Sequence, residues 1–185
     1  MLAGDEDARI MLAFQNGDNS AFDALFRRWA ARVLAYVSRV TCDADTAEAL
    51  VLDVFLRVFR ARERYVADLR FSTWLYRIAS NVALDELRRA QRRRPETARG
   101  APGGGGPASP SAGRGETLRD PTAASRVPAA LTTIPDRQRA ALHLVAVEGL
   151  SYAELAESLE TSEVSAKALV HRGRSALADR LEAAD

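Results

Sequence analysis

The chain has one cysteine, Cys42, one lysine, Lys167, and two histidines, His143 and His171, in 185 residues. A single thiol excludes an internal disulfide and any multi-thiolate zinc site, which suits a reducing compartment, and Cys42 is expected to be buried. The two histidines are far apart and lack a second ligand at metal spacing. Each is read as a structural or DNA-facing imidazole, and no metal site is expected. No apolar run is long enough to span a bilayer, and MLAGDEDARI lacks the basic start and apolar block of a signal peptide. A cytoplasmic protein without membrane insertion is expected. A glycine-rich phosphate loop, paired histidines and a nucleophile beside a base are all missing, so no catalytic residue and no cofactor are expected.

What is present is ordinary for a soluble globular protein: 47% hydrophobic and 28% charged residues. The net charge of +1 hides local asymmetry, with acids near the N-terminus and in Asp43 to Asp53, and arginines at two expected helix ends. From Pro95 to about Pro121 the chain carries GGGG, several prolines and serines, and almost no large apolar residue. Such a segment cannot bury enough surface to fold, and as a flexible coil it spans roughly 25 to 30 Å. The expected architecture is therefore all-α, with two small helical domains, 5–94 and 125–185, joined by a linker over 95–124.

In the first half, Ile10, Met11 and Phe14 mark a short helix over Asp5 to Gln15, stopped at Gly17. Phe22, Leu25, Phe26, Trp29, Val33, Tyr36, Val37 and Val40 recur at three and four residues, the spacing of a helix with a broad buried face. A third helix, from about Asp45 to Arg62, has two apolar stripes. Leu50, Val51, Val54, Phe55, Val58 and Phe59 form the wider one; Leu52 and Leu56 form another, rotated away and alternating with Asp53, Arg57 and Arg60. Either this helix is sandwiched and buried on both sides, or the second stripe is a protein-docking face.

After a polar loop, Ala61 to Arg70, comes the stretch around which the half is organised, FSTWLYRIASNVALDELRRAQRRR, from Phe71 to Arg94. Trp74, Leu75, Ile78, Val82 and Leu87 give it a core stripe. Arg88, Arg89, Arg92, Arg93 and Arg94 can neutralise several phosphates. Aromatic faces stack on unpaired bases, and amide and carboxylate groups bond to base edges, so this pattern suits single-stranded nucleic acid. An ordinary core helix with a solvated, arginine-rich C-terminus fits the same pattern.

In the second half, a helix is expected near Ser125 to Thr132, and another after Ile134-Pro135-Asp136 with Leu142, Val145 and Val147 on its apolar side. Ser151 and Glu154 form a capping box that opens a short helix. A break at Glu160 to Ser162 leads to a last helix, about Glu163 to Leu181, with Ala166, Val170, Gly173 and Leu177 inward. Ser165, Lys167, His171, Arg172 and Arg174 lie on its other sides. A capped short helix, a tight turn and a longer polar-faced helix make a helix-turn-helix, whose second helix enters the major groove; the competing reading is a plain helical hairpin.

Taken together, GDNSAFDALFRRW, EALVLDVFLRVFR and FSTWLYRIASNVALDELRRAQRR, followed by IPDRQRAALHLVAVEGLSYAELAESL and KALVHRGRSAL, resemble the extracytoplasmic-function group of bacterial sigma factors. The resemblance implies a subunit that binds core RNA polymerase and promoter DNA, both as duplex and as single-stranded non-template strand, and that has an anti-sigma partner by analogy. It places Ala49, Leu52, Asp53, Leu56 and Arg57 against polymerase. Arg62, Tyr65, Phe71, Trp74, Asn81, Asp85, Arg88, Arg89 and Arg92 fall on the minus-ten element, where a base is flipped into a pocket. Ser165, Lys167, Ala168, His171, Arg172 and Arg174 fall on the minus-thirty-five duplex. Three departures stand out. Ala49 and Leu52 stand where the family has polar polymerase-facing residues, Glu160 stands at its turn glycine, and Leu169 at a common arginine. An exposed Leu169 can pack on a thymine methyl but not bind phosphate. The lost polar positions also fit a sigma-like interaction protein, and the second half alone fits a helix-turn-helix regulator, neither of which engages polymerase.

Overall fold

The computed structural model describes residues 5–93 and 123–182. The expected linker lies outside these residues except for its last two, which already belong to a helix. Among the described residues the secondary structure is helical throughout: α1 (Glu6–Gln15), α2 (Asn19–Thr41), α3 (Ala44–Ala61), a 3-10 turn (Arg62–Arg64) and α4 (Phe71–Arg93) in the first half. The second half comprises α5 (Ala123–Thr132), α6 (Asp136–Ala146), α7 (Tyr152–Ser158) and α8 (Glu163–Glu182).

Local chemistry sets the starts of these helices. Asp5, Asp18 and Asp43 cap α1, α2 and α3 with side-chain carboxylates that accept backbone N–H groups. Asp5 does this twice, accepting from Ala8 N at 3.1 Å and from Phe71 N at 2.8 Å, so one carboxylate fixes the first turns of both α1 and α4. Gln15 pins the loop between α3 and α4, its Nε2 donating to the carbonyls of Arg62, Glu63 and Tyr65 at 2.9–3.2 Å. Around these constraints Met11, Phe14, Leu25, Val33, Tyr36, Val37, Val40, Phe71 and Leu75 are almost fully excluded from water, the burial that supplies most of the folding free energy. In the second half α6 and α8 approach closely at Gly173, where an added Cβ would lie 3.0 Å from Leu142 Cγ and Cδ1.

Three expectations need correction. Cys42 is exposed, because the end of α2 requires a left-handed residue there (φ 55°) and that turn sits at the surface. Val147 lies past the end of α6 and is exposed rather than on its apolar side. Phe59 sits at the margin of the wider α3 stripe, 39% exposed, with Phe14 and Phe22 on its inner side.

The two halves pack on each other, with α6 and α7 against α2 and α4. Arg139 of α6 is buried at this seam. Its Nε donates to Val40 O of α2 at 2.9 Å, with Nη2 on the same carbonyl, while Nη1 donates to Leu131 O and Ile134 O at 3.0 Å each and Asp136 balances its charge at 2.9 Å. The carbonyl at the end of α2 is one that the helix itself leaves unpaired, and a cation there is favoured by the helix dipole. Beside it Glu148, also buried, receives Arg32 Nε at 3.1 Å and faces the Tyr76 hydroxyl and the His143 ring. Ser158 Oγ donates to Thr73 O at 3.1 Å, and Asn81 Nδ2 to Glu160 Oε2 at 3.1 Å.

Two outcomes follow from the seam. Arg139→Met keeps the volume but leaves the Val40 and Ile134 carbonyls without a donor and Leu131 O with only Ile134 N, a loss of about 2–4 kcal/mol. In chemical denaturation the tryptophan signal, which comes only from Trp29 and Trp74 of the first half, is expected to separate from the helical signal in this variant and to coincide with it in wild type; an unchanged midpoint would mean the guanidinium holds nothing. The second outcome concerns pH. Burial pushes the His143 pKa below its ordinary 6.5 against the opposing pull of Glu148, so the packed state favours the neutral ring. A lowered folded pKa gives stability that is complete above the unfolded value and is lost as pH falls toward the folded one. The thermal midpoint is expected to drop from pH 7 to pH 5.5, and this part of the drop should be absent in His143→Gln.

Candidate nucleic-acid interface

Helix α4 carries two different surfaces. Its first three turns lie between the first-half core and α7, so aromatic residues expected to present free faces are inside the protein. Tyr65, Phe71 and Trp74 are 2%, 0% and 7% exposed. Tyr65 packs edge to face on Trp74, centroids 5.1 Å apart, and on Phe71 at 6.2 Å, and Phe71 meets Trp29 at 5.8 Å. Burial, with Asp5, Asp68 and Asp7 nearby, pushes the Tyr65 hydroxyl up to about 12. None of the three offers a stacking platform here. The periodicity places Trp74 in the core stripe but cannot do the same for Phe71, because both sides of this helix segment are covered and a one-sided pattern fails, and Tyr65 lies in the loop before the helix.

Past the covered turns the helix presents polar residues. Asn81, Asp85, Arg88 and Arg92 follow at four, three and four residues, and so share a face, with Arg89 beside them. Arg88 Nη1 pairs with Asp85 Oδ1 at 2.9 Å, and Glu86 holds Arg93 and, at 3.9 Å, Arg89. The guanidiniums are exposed, held by short carboxylates that phosphates can replace. Arg62 stands apart. Its guanidinium lies 4.9 Å from the Phe59 ring centroid and donates to Phe59 O at 3.2 Å, which places it between the α3–α4 loop and the adjoining apolar face.

That apolar face settles the question of the two stripes on α3. The helix is not sandwiched: Leu52 is 64% and Leu56 44% exposed, Ala49 is exposed, and Asp53 pairs with Arg57 at 2.9 Å between them. Leu52 and Leu56 join Phe22, Phe26, Phe55 and Phe59 around an open groove of about 250 Å³. Phe22, Phe26 and Phe59 are functional candidates that sequence reasoning assigned to the core. Their periodicity is that of core residues, and only the crossing of α2 and α3 leaves their outer edges in water.

In the second half the turn chemistry is as expected. Ser151 and Glu154 form the reciprocal capping box at the start of α7, with Glu154 Oε2 accepting from Ser151 N at 2.8 Å. Glu160 has φ 49°, the left-handed geometry that favours glycine, and Thr161 N closes the turn on Ala156 O at 2.9 Å. Ser162 Oγ accepts from Ser165 N at 3.2 Å and donates to Ser165 Oγ at 2.9 Å, starting α8. Lys167 Nζ pairs with Glu163 at 2.8 Å, which raises its pKa, and Arg172 Nε donates to Ala168 O at 3.3 Å. Ser165, Lys167, His171, Arg172 and Arg174 are exposed and Ala168 is half-buried. Leu169 is half-buried and packs on the core, so it is not the exposed apolar contact considered from sequence. That description fits Val164, 78% exposed in the first turn of α8, which no sequence pattern singled out. His143, by contrast with His171, is buried in the seam, against Tyr36 and Glu148. Among the described residues no three His, Cys, Asp or Glu side chains gather to hold a metal, and no helix is long and apolar enough to cross a membrane.

The same two segments are recognised by comparison with known proteins. Residues 25–93 match the Sigma-70 region 2 family and residues 125–177 the Sigma-70 region 4 family. The RNA polymerase sigma-H factor of Pseudomonas aeruginosa is 30% identical over 98% of this chain and 97% of its own length. The ECF RNA polymerase sigma factor SigM of Mycobacterium tuberculosis is 34% identical, covering 93% of this chain and 83% of its own. In fold, the chain is similar to CnrH in complex with the cytosolic domain of CnrY, with a TM-score of 0.69 at 23% identity over 97% of this chain and 99% of that one. It is also similar to the sigma factor RpoE in complex with the anti-sigma factor NepR from Bartonella quintana, with a TM-score of 0.67 at 21% identity over 87% of this chain and 96% of that one. By sequence along almost its whole length, and by the order of its two helical halves, the chain belongs to the extracytoplasmic-function group of bacterial RNA polymerase sigma factors.

Proposed function

We propose that this protein is a cytoplasmic promoter-specificity subunit without a catalytic centre of its own, and that its surfaces divide the work as follows. The exposed α3 face, Ala49, Leu52, Asp53, Leu56 and Arg57, docks on core RNA polymerase, with Phe22, Phe26 and Phe59 extending the contact. Asn81, Asp85 and Arg88 engage the extruded minus-ten base and its neighbours, and Arg89 and Arg92 hold the non-template backbone. The exposed side of α8 reads the minus-thirty-five duplex. The observation that carries this reading is the single face of α4 on which an amide, a carboxylate and arginines stand in line at helical spacing. Base extrusion costs a few kcal/mol of stacking, and hydrogen bonds to the flipped base together with phosphate contacts are enough to offset it.

The closed arrangement adds a condition. Asn81 is hydrogen-bonded to Glu160, and α7 covers the first turns of α4, so capture of the minus-ten strand requires the halves to part. An anti-sigma partner that prefers the closed form fits this geometry.

The test is affinity for core polymerase. Wild type is expected to bind tightly, and the pair Leu52→Asp and Leu56→Asp to bind at least tenfold more weakly with an unchanged thermal midpoint, since both side chains are already in water. Wild type that fails to bind core would instead support an interaction protein that uses the same face for a regulator. Asn81→Ala is expected to leave core affinity unchanged. It should weaken holoenzyme binding to a single-stranded minus-ten oligonucleotide by roughly 5- to 100-fold, the equivalent of losing one base-edge contact.

A further inference from the structure

We infer that Val164 sets a base preference in the minus-thirty-five element by packing on thymine methyl groups. The inference rests on reading α8 as the helix that enters the major groove. Its inner line is Ala166, Val170 and Gly173, all buried. At about 100° per residue, the middle of the opposite side falls on Val164 and Ala168, with Ser175 and His171 following along the helix. Lys167 lies on one flank of this line, and Ser165 and Arg172 on the other. Over its first two turns the reading face thus has an apolar centre and polar or cationic margins.

The polar groups near the start of α8 are largely engaged. Ser165 gives its N–H to Ser162 Oγ and accepts the Ser162 hydroxyl on its own Oγ, Lys167 is paired with Glu163, and Ala168 has no polar side-chain atom. The group that projects freely from the first turn is the branched side chain of Val164, at 78% the most exposed of the large apolar side chains among the described residues. It gains nothing in the fold from its position, and a β-branched residue is a poorer helix former than alanine. The first turns of a recognition helix are the part that reaches base edges, and the thymine C5-methyl is the apolar feature displayed in the major groove. Two methyl groups on Val164 and one on Ala168 therefore match thymine, while Lys167, His171, Arg172 and Arg174 lie where they can meet the flanking phosphates.

The experiment uses holoenzyme assembled from core polymerase and the full chain. Duplexes randomised over the minus-thirty-five region are selected for binding, and each thymine of a selected duplex is replaced in turn by deoxyuridine, which removes only the methyl group. Wild type is expected to lose about fourfold in affinity at one thymine or more, the effect of one buried methyl. Val164→Ala, checked for an unchanged thermal midpoint, is expected to bind the thymine and deoxyuridine duplexes alike, and Val164→Thr to keep part of the discrimination. Selected duplexes whose methyl groups do not matter to wild type, or matter equally to Val164→Ala, would overturn the inference and leave the reading of α8 intact. No enrichment and no minus-thirty-five footprint would overturn both.

Discussion

The structure depends on a guanidinium placed where neither half can satisfy its own backbone. The last carbonyls of α2 have no helical partner, and the turn between α5 and α6 leaves the Ile134 carbonyl in the same condition, while Leu131 O already accepts from Ile134 N at 3.2 Å. Arg139 meets both needs with one planar fork, donating to Val40 across the seam and to Leu131 and Ile134 within its own half. A buried cation is costly unless its donors are used and its charge is balanced; here the donors are used and Asp136 supplies the balance. The neighbouring Glu148 mirrors it with opposite sign. Burial alone would raise its carboxyl pKa, but Tyr76, Arg32 and His143 together hold it below the ordinary carboxylate value. The seam is thus a polar junction set into an apolar contact.

That junction explains the division of α4. A helix that faced one core would show one stripe and leave its aromatic residues a choice of side. This one is covered by the first-half core and by α7, so Phe71, Trp74 and Tyr76 are all buried, and even the Thr73 carbonyl is bonded by Ser158. The run of polar residues toward the end of α4 starts at Asn81, where Glu160, just beyond α7, reaches across to it. Its left-handed backbone aims the carboxylate at Asn81, a position that a glycine could occupy with less strain but without the acceptor.

Much of this was legible in the sequence. Helical periods, aspartate and serine caps, the Ser151–Glu154 box and the turn at Glu160 predicted the helices to within a residue or two, because each is fixed by interactions a few positions apart. What was not legible depended on contacts between distant segments. Cys42 looked like a core thiol and is a surface turn residue; Phe22, Phe26 and Phe59 looked like core and line a groove; Tyr65 and Phe71 looked free and are enclosed, with Trp74 in the core stripe expected of it. In the candidate site, Asn81, Asp85, Arg88 and Arg92 could be aligned by counting. Counting from Ala166, Val170 and Gly173 also puts Val164 on the outer side of α8, but the half-burial of Leu169 depends on its contact with the core.

The chemistry of the seam also bears on how such a fold can open. When the halves part, Arg139 loses Val40 but keeps Leu131, Ile134 and Asp136, so its charge is not stranded. Glu148 exchanges Arg32 for water, and the exposed Asn81–Glu160 bond contributes little to begin with. The main cost of opening is the apolar contact of α6 and α7 on α2 and α4, which a large polymerase surface can offset. If the open form is one part in a hundred, apparent affinity for a partner that needs it falls by the same factor of about one hundred, and a partner that needs the closed form is scarcely affected. A modest preference for closure therefore separates the two kinds of partner without any further contact; the apolar contact supplies most of that preference, and protonation of His143 in the polar junction lowers it.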